Sequence, residues 1–384
     1  MDDGRSSRRR TPFGVFGAVA LVAAVEVGLS QVPVDAWPSS FIAASWAESE
    51  RASRTRGEGV GADVLILGDS QLKCGLQPKL IEGALGLRAF NLAVVGGQPA
   101  SSYYLLSKAL DSGATPKAIV VDFFPGLLAA DLRINTGKWA DLLDPGECLG
   151  LASTARDGKL FGPVIARALL PALRLRDGVR AGVTAALTGV EGKDAAEARA
   201  YVRNWRVNGG SHALPRKPEF RESEGDVLDP SQPGRRWKCK PENLAYVRRF
   251  LALAGSHKIP VFWVLPTVAP RLRAERGRTG LDAAYLAFVR SVRAEFPGLT
   301  VLDPTPLLGD AGVFSDVLHL DRRGASVLTL AVAEAVAGAR SDAPGVGRWV
   351  AMKPPSASRL ASDVPVEDVA ESAAAVRGGA GLRR

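Results

Sequence analysis

Val64-Leu65-Ile66-Leu67-Gly68-Asp69-Ser70 sets four consecutive apolar residues directly ahead of three turn-forming ones. An apolar run with no polar face reads as a strand buried on both sides, as in a parallel sheet. Gly-Asp-Ser is ordinary turn chemistry. A serine at a turn after a buried strand also presents Oγ rigidly at the sheet edge, where a neighbouring base can activate it. Working outward, Ala89 to Val94, Ala118 to Asp122, Val261 to Leu265 and Thr300 to Leu302 are similar runs. Helix-like segments lie between them, at Pro78 to Leu85, Ser101 to Asp111, Asn243 to His257 and Asp282 to Glu295. This alternation predicts an α/β fold, a doubly wound, mostly parallel five-stranded sheet between two layers of helices. Ligands of such sheets sit beyond the carboxyl ends of the strands. Ser70, Gly96-Gly97, Phe123-Phe124-Pro125 and Pro266-Thr267 each fall just after a strand, and His319 follows the fifth.

The chain has 384 residues, an apolar fraction of 46% and a net charge of +9. That suffices for a sizeable core. Lys and Arg are interspersed with Asp and Glu, and no long basic run alternates with aromatics, which argues against a nucleic-acid partner. The charge fits solubility or attraction to a membrane surface. Cys74, Cys148 and Cys239 lack metal-ligand spacing and are expected as free thiols, Cys74 within the core. No motif implies a metal or a cofactor.

Arg8-Arg9-Arg10 precede an apolar stretch running from Pro12 to about Val32. This order predicts a basic cytoplasmic N-terminus (1–11) and an uncleaved signal anchor or transmembrane helix (12–32). A cleaved signal peptide, although no small-x-small cleavage site follows, and a buried or peripheral helix are the alternatives. The signal anchor and the cleaved signal would both place the remainder outside the cytoplasm, in the periplasm for the anchored form. A polar stem is expected over 33–61, the main domain over 62–340, and a disordered Ala/Gly/Pro/Ser-rich tail over 341–384. Roughly 131–241 interrupt the alternation with a helical pattern from Val164 to Leu187 and with Trp205 and Trp237. An insertion of this size reads as a lid or substrate-binding subdomain, or as an excursion with no part in the site.

The chain holds three histidines. His212 sits in a Gly-Gly-Ser-His loop of the insertion, and His257 ends a helix on the edge away from the predicted site. His319 remains as the candidate base. Asp316, three residues earlier, can accept from its Nδ1–H and leave Nε2 facing Ser70. Gly96-Gly97 reads either as a tight turn needing positive φ or as an oxyanion donor. Phe123-Phe124 reads as a pocket wall or as core.

These residues resemble the SGNH (GDSL-type) hydrolases over about 62–338: Gly68-Asp69-Ser70, the glycine in Asn91-Leu-Ala-Val-Val-Gly-Gly97, and Asp316-x-x-His319. Gly68-Asp-Ser-Gln-Leu-Lys-Cys-Gly-Leu-Gln-Pro78 is similar to the membrane-anchored, extracytoplasmic branch that includes polysaccharide O-acetyltransferase-like proteins. The resemblance implies Ser70 as nucleophile, His319 as base, Asp316 as its orienter, and backbone N–H groups of Ser70 and of Gly96 or Gly97 as oxyanion donors. It implies an ester or acylated carbohydrate as substrate. The chain departs from the family at the asparagine after the third strand, usually within Gly-x-Asn-Asp. Here the segment reads Val121-Asp122-Phe123-Phe124-Pro125-Gly126. One missing oxyanion donor costs about 3 kcal/mol of barrier, on the order of a hundredfold in rate. A backbone N–H of the Phe123 to Gly126 loop or the side chain of Asn91 could take its place. Failing that, activity is weak, or the fold serves as a non-catalytic binding or assembly protein of the cell envelope.

Overall fold

The computed structural model describes residues 13–31, 40–188, 193–222, 236–341, 346–355 and 364–378. One sheet organises them, with all six strands parallel in the order β2-β1-β3-β4-β5-β6. The strands are β1 Val64–Leu67, β2 Ala89–Asn91, β3 Ala118–Val121, β4 Val261–Val264, β5 Thr300–Asp303 and β6 Trp349–Ala351. Every residue of β1, β3 and β4 is buried, which is what their unbroken apolar runs require. The chain leaves β1 for one edge through β2, then returns to pair β3 on β1's other side. That reversal places the switch point between the ends of β1 and β3.

The helices, in chain order, are α1 Phe13–Ser30, α2 Phe41–Ser53, α3 Ser70–Gly75, α4 Pro78–Leu85, α5 Pro99–Asp111, α6 Pro125–Ala129, α7 Thr136–Leu142 and α8 Pro145–Ala155. They continue with α9 Gly158–Leu169, α10 Pro171–Thr188, α11 Lys193–Val207, α12 Pro241–Ser256, α13 Pro270–Thr279, α14 Leu281–Glu295, α15 Arg322–Ser341 and α16 Val369–Arg377. The period of two along each strand splits the core. Leu65, Leu67, Ile119, Val121 and Trp263 face α2, α5, α12 and α14, burying Trp46, Leu105, Phe250 and Tyr285. Val64, Ile66, Val120, Phe262 and Val264 face the layer holding α3, α4 and α15, with Leu72, Ile81, Leu328 and Val332.

Four expectations are corrected. The sheet has six strands, not five, because the tail expected to be disordered over 341–384 returns as β6, with Val301 opposite Trp349. The tail also supplies α16, which a capping box of Asp368 and Glu371 starts and whose Ser372 Oγ accepts from Asn204 Nδ2 on α11. Residues 342–345, 356–363 and 379–384 of that tail lie outside the described residues. The stem expected over 33–61 is, from residue 40 on, part of the domain. Trp46 of α2 is fully buried edge-on to Trp139, and its Nε1 donates to the Val95 carbonyl at 2.9 Å. Residues 32–39 lie outside the described residues.

The helical pattern from Val164 to Leu187 is two helices rather than one, because Pro171 has no N–H to continue α9 and instead opens α10. Among the described residues no helix is long and apolar enough to cross a membrane, so the transmembrane helix expected over 12–32 is not supported. At about 1.5 Å per residue, the 18 residues of α1 span about 27 Å, under the ~30 Å of a hydrocarbon core, and they include Glu26. The basic segment 1–11 lies outside the described residues.

Trp46→Ala removes a fully enclosed ring and a buried hydrogen bond, so a loss of about 3–5 kcal/mol is expected in urea unfolding. A loss under about 1 kcal/mol would mean that α2 is a dispensable stem.

Candidate active site

β1 ends at Leu67, and Gly68 turns the chain at φ +131°, a conformation suited to glycine. A Cβ there would lie 1.7 Å from Asp122 Oδ1. Asp69 caps α3, accepting from the Gln71 N–H at 2.7 Å, so Ser70 occupies the first helical position with an N–H that has no acceptor inside the helix. The turn is tied to β3 through Asp122 Oδ1, which accepts the Asp69 N–H at 2.9 Å.

The histidine arrives from the far end of the chain. Asp316 Oδ1 accepts from the Leu318 and His319 N–H groups at 2.8 and 2.9 Å, folding Asp316-Val317-Leu318-His319 into a side-chain-closed turn. An antiparallel bridge between Phe314 and Leu320 closes the loop at its base. Both carboxylate oxygens of Asp316 lie 2.9 Å from His319 Nδ1, and His319 Nε2 lies 2.8 Å from Ser70 Oγ. The structure thus brings together the three residues singled out from sequence, in the relation a serine nucleophile, a general base and its orienter require. Burial alone would raise the Asp316 pKa, but the His319 hydrogen bond and charge outweigh it, and the carboxyl sits below its usual range. It is therefore ionised at neutral pH and fixes the proton of His319 on Nδ1.

The oxyanion donors are sorted by what already uses them. Gly97 N–H donates to the Val94 carbonyl at 3.0 Å, which takes Gly97 out of the expected pair and leaves Gly96, at φ +70°, beside Ser70. Asn91 is no substitute donor: its Nδ2 is spent on the Leu72 and Leu76 carbonyls and its Oδ1 accepts from Ala93 N–H. In the loop after β3, the Phe124 N–H is directed to the Asp69 carboxyl. Phe123 is core, edge-on to Phe250 and Trp263, while Phe124 is half-buried under the Arg276 guanidinium.

Within Val121-Asp122-Phe123-Phe124-Pro125-Gly126, the segment after β3 that carries no asparagine, Asp122 is fully buried. Burial first, and the neighbouring charge of Asp69 second, hold its carboxyl well above the usual carboxylate range; burial raises Asp69 as well. The Oδ2 atoms of both residues have no hydrogen-bond partner among the described residues. Two ionised carboxylates cannot share such a site, so the pair keeps one proton, and Asp122 is the group more strongly driven to hold it.

Three supporting residues gave no sequence signal. Gln71 is buried beside Ser70; its Oε1 accepts the Thr267 N–H, and its Nε2 donates to the Thr267 and Leu318 carbonyls, clamping α3 to the loop after β4 and to the histidine loop. Asn135 comes from the insertion and donates to the Gly96 carbonyl at 2.9 Å and to Gln98 Oε1 at 3.1 Å, fixing the glycine turn. Behind α3, Lys73 is fully enclosed with Nζ donating to Ser49 Oγ at 3.2 Å, and burial pushes its ammonium pKa down to about 7. The other two histidines lie elsewhere. His212 is buried against Tyr201 and kept neutral by desolvation, and His257 follows the end of α12. The cysteines are free, Cys74 and Cys148 buried and Cys239 half-buried. No group of His, Cys, Asp or Glu able to hold a metal occurs among the described residues.

No protein-family model matches this chain, and no curated protein matches it.

Asp122→Asn keeps an oxygen to accept the Asp69 N–H but cannot titrate. Because the folded pKa of Asp122 is raised, its contribution is fully present below the unfolded value near 3.9 and is lost as pH rises toward the folded value. Asp122→Asn is therefore expected to melt with wild type at pH 4 and above it at pH 7–8, as read by differential scanning calorimetry. Equal losses at both pH values would contradict the shared proton. Gly68→Ala, which drives a methyl group into Asp122, is expected to lower the yield of folded protein or to abolish turnover in any assay that depends on Ser70.

Proposed function

We propose that this protein is an SGNH-like serine enzyme that hydrolyses or transfers an acyl ester through an acyl-Ser70 intermediate. The carrying observation is the unbroken chain from Ser70 Oγ to His319 Nε2 at 2.8 Å and from His319 Nδ1 to Asp316 at 2.9 Å. In this reading His319 removes the Ser70 proton as Oγ attacks the ester carbonyl, and Asp316 stabilises the imidazolium that forms. His319 then returns the proton to the departing alkoxide. Water, or an acceptor hydroxyl, then loses its own proton to His319 as it adds to the acyl-enzyme carbonyl. The second intermediate collapses with that proton passing to the departing Ser70 Oγ, which frees the acid or the new ester. Ser70 and Gly96 N–H groups stabilise both tetrahedral oxyanions.

Acceptor and acyl group separate hydrolase from transferase, and the SGNH resemblance suggests an acylated carbohydrate outside the cytoplasm. The aromatic platforms expected for an open sugar groove are not on offer, since Trp205 and Trp237 are 2% and 5% exposed and serve as packing. Trp205 meets Phe90 edge-on, and Trp237 Nε1 donates to the Pro125 carbonyl. A small ester fits these facts better than a long glycan stacked on Trp205 or Trp237.

A second reading, a binding or assembly protein that keeps the fold, is favoured by one observation: the segment after β3 carries no asparagine, and its Asp122 is buried and accepts the Asp69 N–H. Hydrolysis of p-nitrophenyl acetate decides between them. Ser70→Ala is expected to lose at least about a thousandfold, and Asp316→Asn about 10³–10⁴-fold, with unchanged thermal unfolding. Wild-type rates in folded Ser70→Ala would assign the residual hydrolysis to another group and favour the binding protein.

A further inference from the structure

We infer that α1, α9 and α10 together form a face that inserts into an anionic lipid bilayer. Of fifteen exposed large apolar side chains among the described residues, twelve lie on these three helices or on Leu170 between them. Soluble surfaces scatter such residues singly; a cluster marks an interaction site.

The distribution on α1 selects the occupant. Phe16, Val19, Leu21, Val22, Val25 and Val27 are all exposed, and at about 100° per residue they point to nearly every side of the helix. A protein groove covers one side of a helix, whereas hydrocarbon surrounds it. The single ionisable residue of α1, Glu26, does not break this surface. Its Oε2 accepts the Ala172 N–H at 2.9 Å, in the first turn of α10, where a helix leaves its N–H groups without internal acceptors. The one charge of α1 is thus spent on docking α1 to α10.

The α9–α10 hairpin continues the apolar surface through Leu169, Leu170 and Leu173. The same hairpin carries the exposed Lys159, Arg176 and Arg180, with Arg176 Nε 3.3 Å from Asp177 Oδ1, and their stems can lie along acyl chains while their heads reach phosphate groups. The insertion that sequence alone left without a role acquires one here, as the membrane-facing part of the fold. This inference is independent of the esterase reading, because no residue of the face touches Ser70, His319 or Asp316.

Flotation of the full chain with vesicles tests it. The protein is expected to rise with vesicles of phosphatidylcholine plus phosphatidylglycerol and less with phosphatidylcholine alone. Leu169→Asp combined with Leu173→Asp should reduce partitioning about a hundredfold while preserving the circular dichroism spectrum and the rate on p-nitrophenyl acetate. Three results would each overturn the inference: wild type that stays at the bottom of the gradient, a double variant that floats like wild type, or a lipid-free wild-type dimer that the double variant converts to monomer. The last would reassign the face to a second copy of this chain.

Discussion

The hydrogen bond from the Asp69 N–H to Asp122 Oδ1 joins the ends of β1 and β3, and the position of Ser70 follows from it. The bond lies at the point where the sheet reverses direction, so it links two strands that run side by side but are far apart in sequence. Its geometry leaves no room for a side chain at residue 68. It also commits the chain to a buried pair of carboxyls, which is costly unless one is neutral. A proton held by Asp122 meets that condition without a nearby cation. The arrangement is thus a local electrostatic liability accepted in exchange for a rigid turn, a pattern common where a side chain must be presented to substrate.

On this foundation the second half of the site is assembled by polar clamps rather than by apolar packing. Ser70 and His319 are 249 residues apart. Gln71 bridges that separation by bonding the backbone of both Thr267 and Leu318, while Asp316 closes the turn that carries His319 before it ever meets the imidazole. Most of the bonds Asp316 makes are therefore formed within its own loop. Asn135 does the equivalent for Gly96 from the insertion side. The glycine turn is accordingly held in place by a side chain from outside the sheet.

The strands were legible because burial on both faces removes the alternation that makes short strands ambiguous, as in Val64–Leu67 and Val261–Val264. Ser70, Asp316 and His319 were legible because the chain has so few histidines and because Asp-x-x-His is a self-contained turn. The illegible parts share a different cause, namely that their partners are distant. β6 is only three residues long, and what makes Trp349–Ala351 a strand is the free edge of β5. α2 reads as a solvated stem because Glu48 and Ser49 look like surface residues. In the fold Glu48 is paired with Arg51 at 3.0 Å and Arg206 at 2.9 Å, and Ser49 Oγ takes the Lys73 ammonium and donates to the Ala93 carbonyl. Gly96 and Gly97 are indistinguishable in sequence; only the Val94 carbonyl, by accepting from one of them, separates their roles.

The central claim, that Ser70 is a nucleophile activated by His319, is tested most directly by intact-mass spectrometry after exposure to a fluorophosphonate. The account predicts a single covalent adduct that maps to Ser70 and is absent from folded Ser70→Ala and His319→Ala. A folded wild-type protein that gains no adduct, or one whose adduct persists in Ser70→Ala, would contradict it.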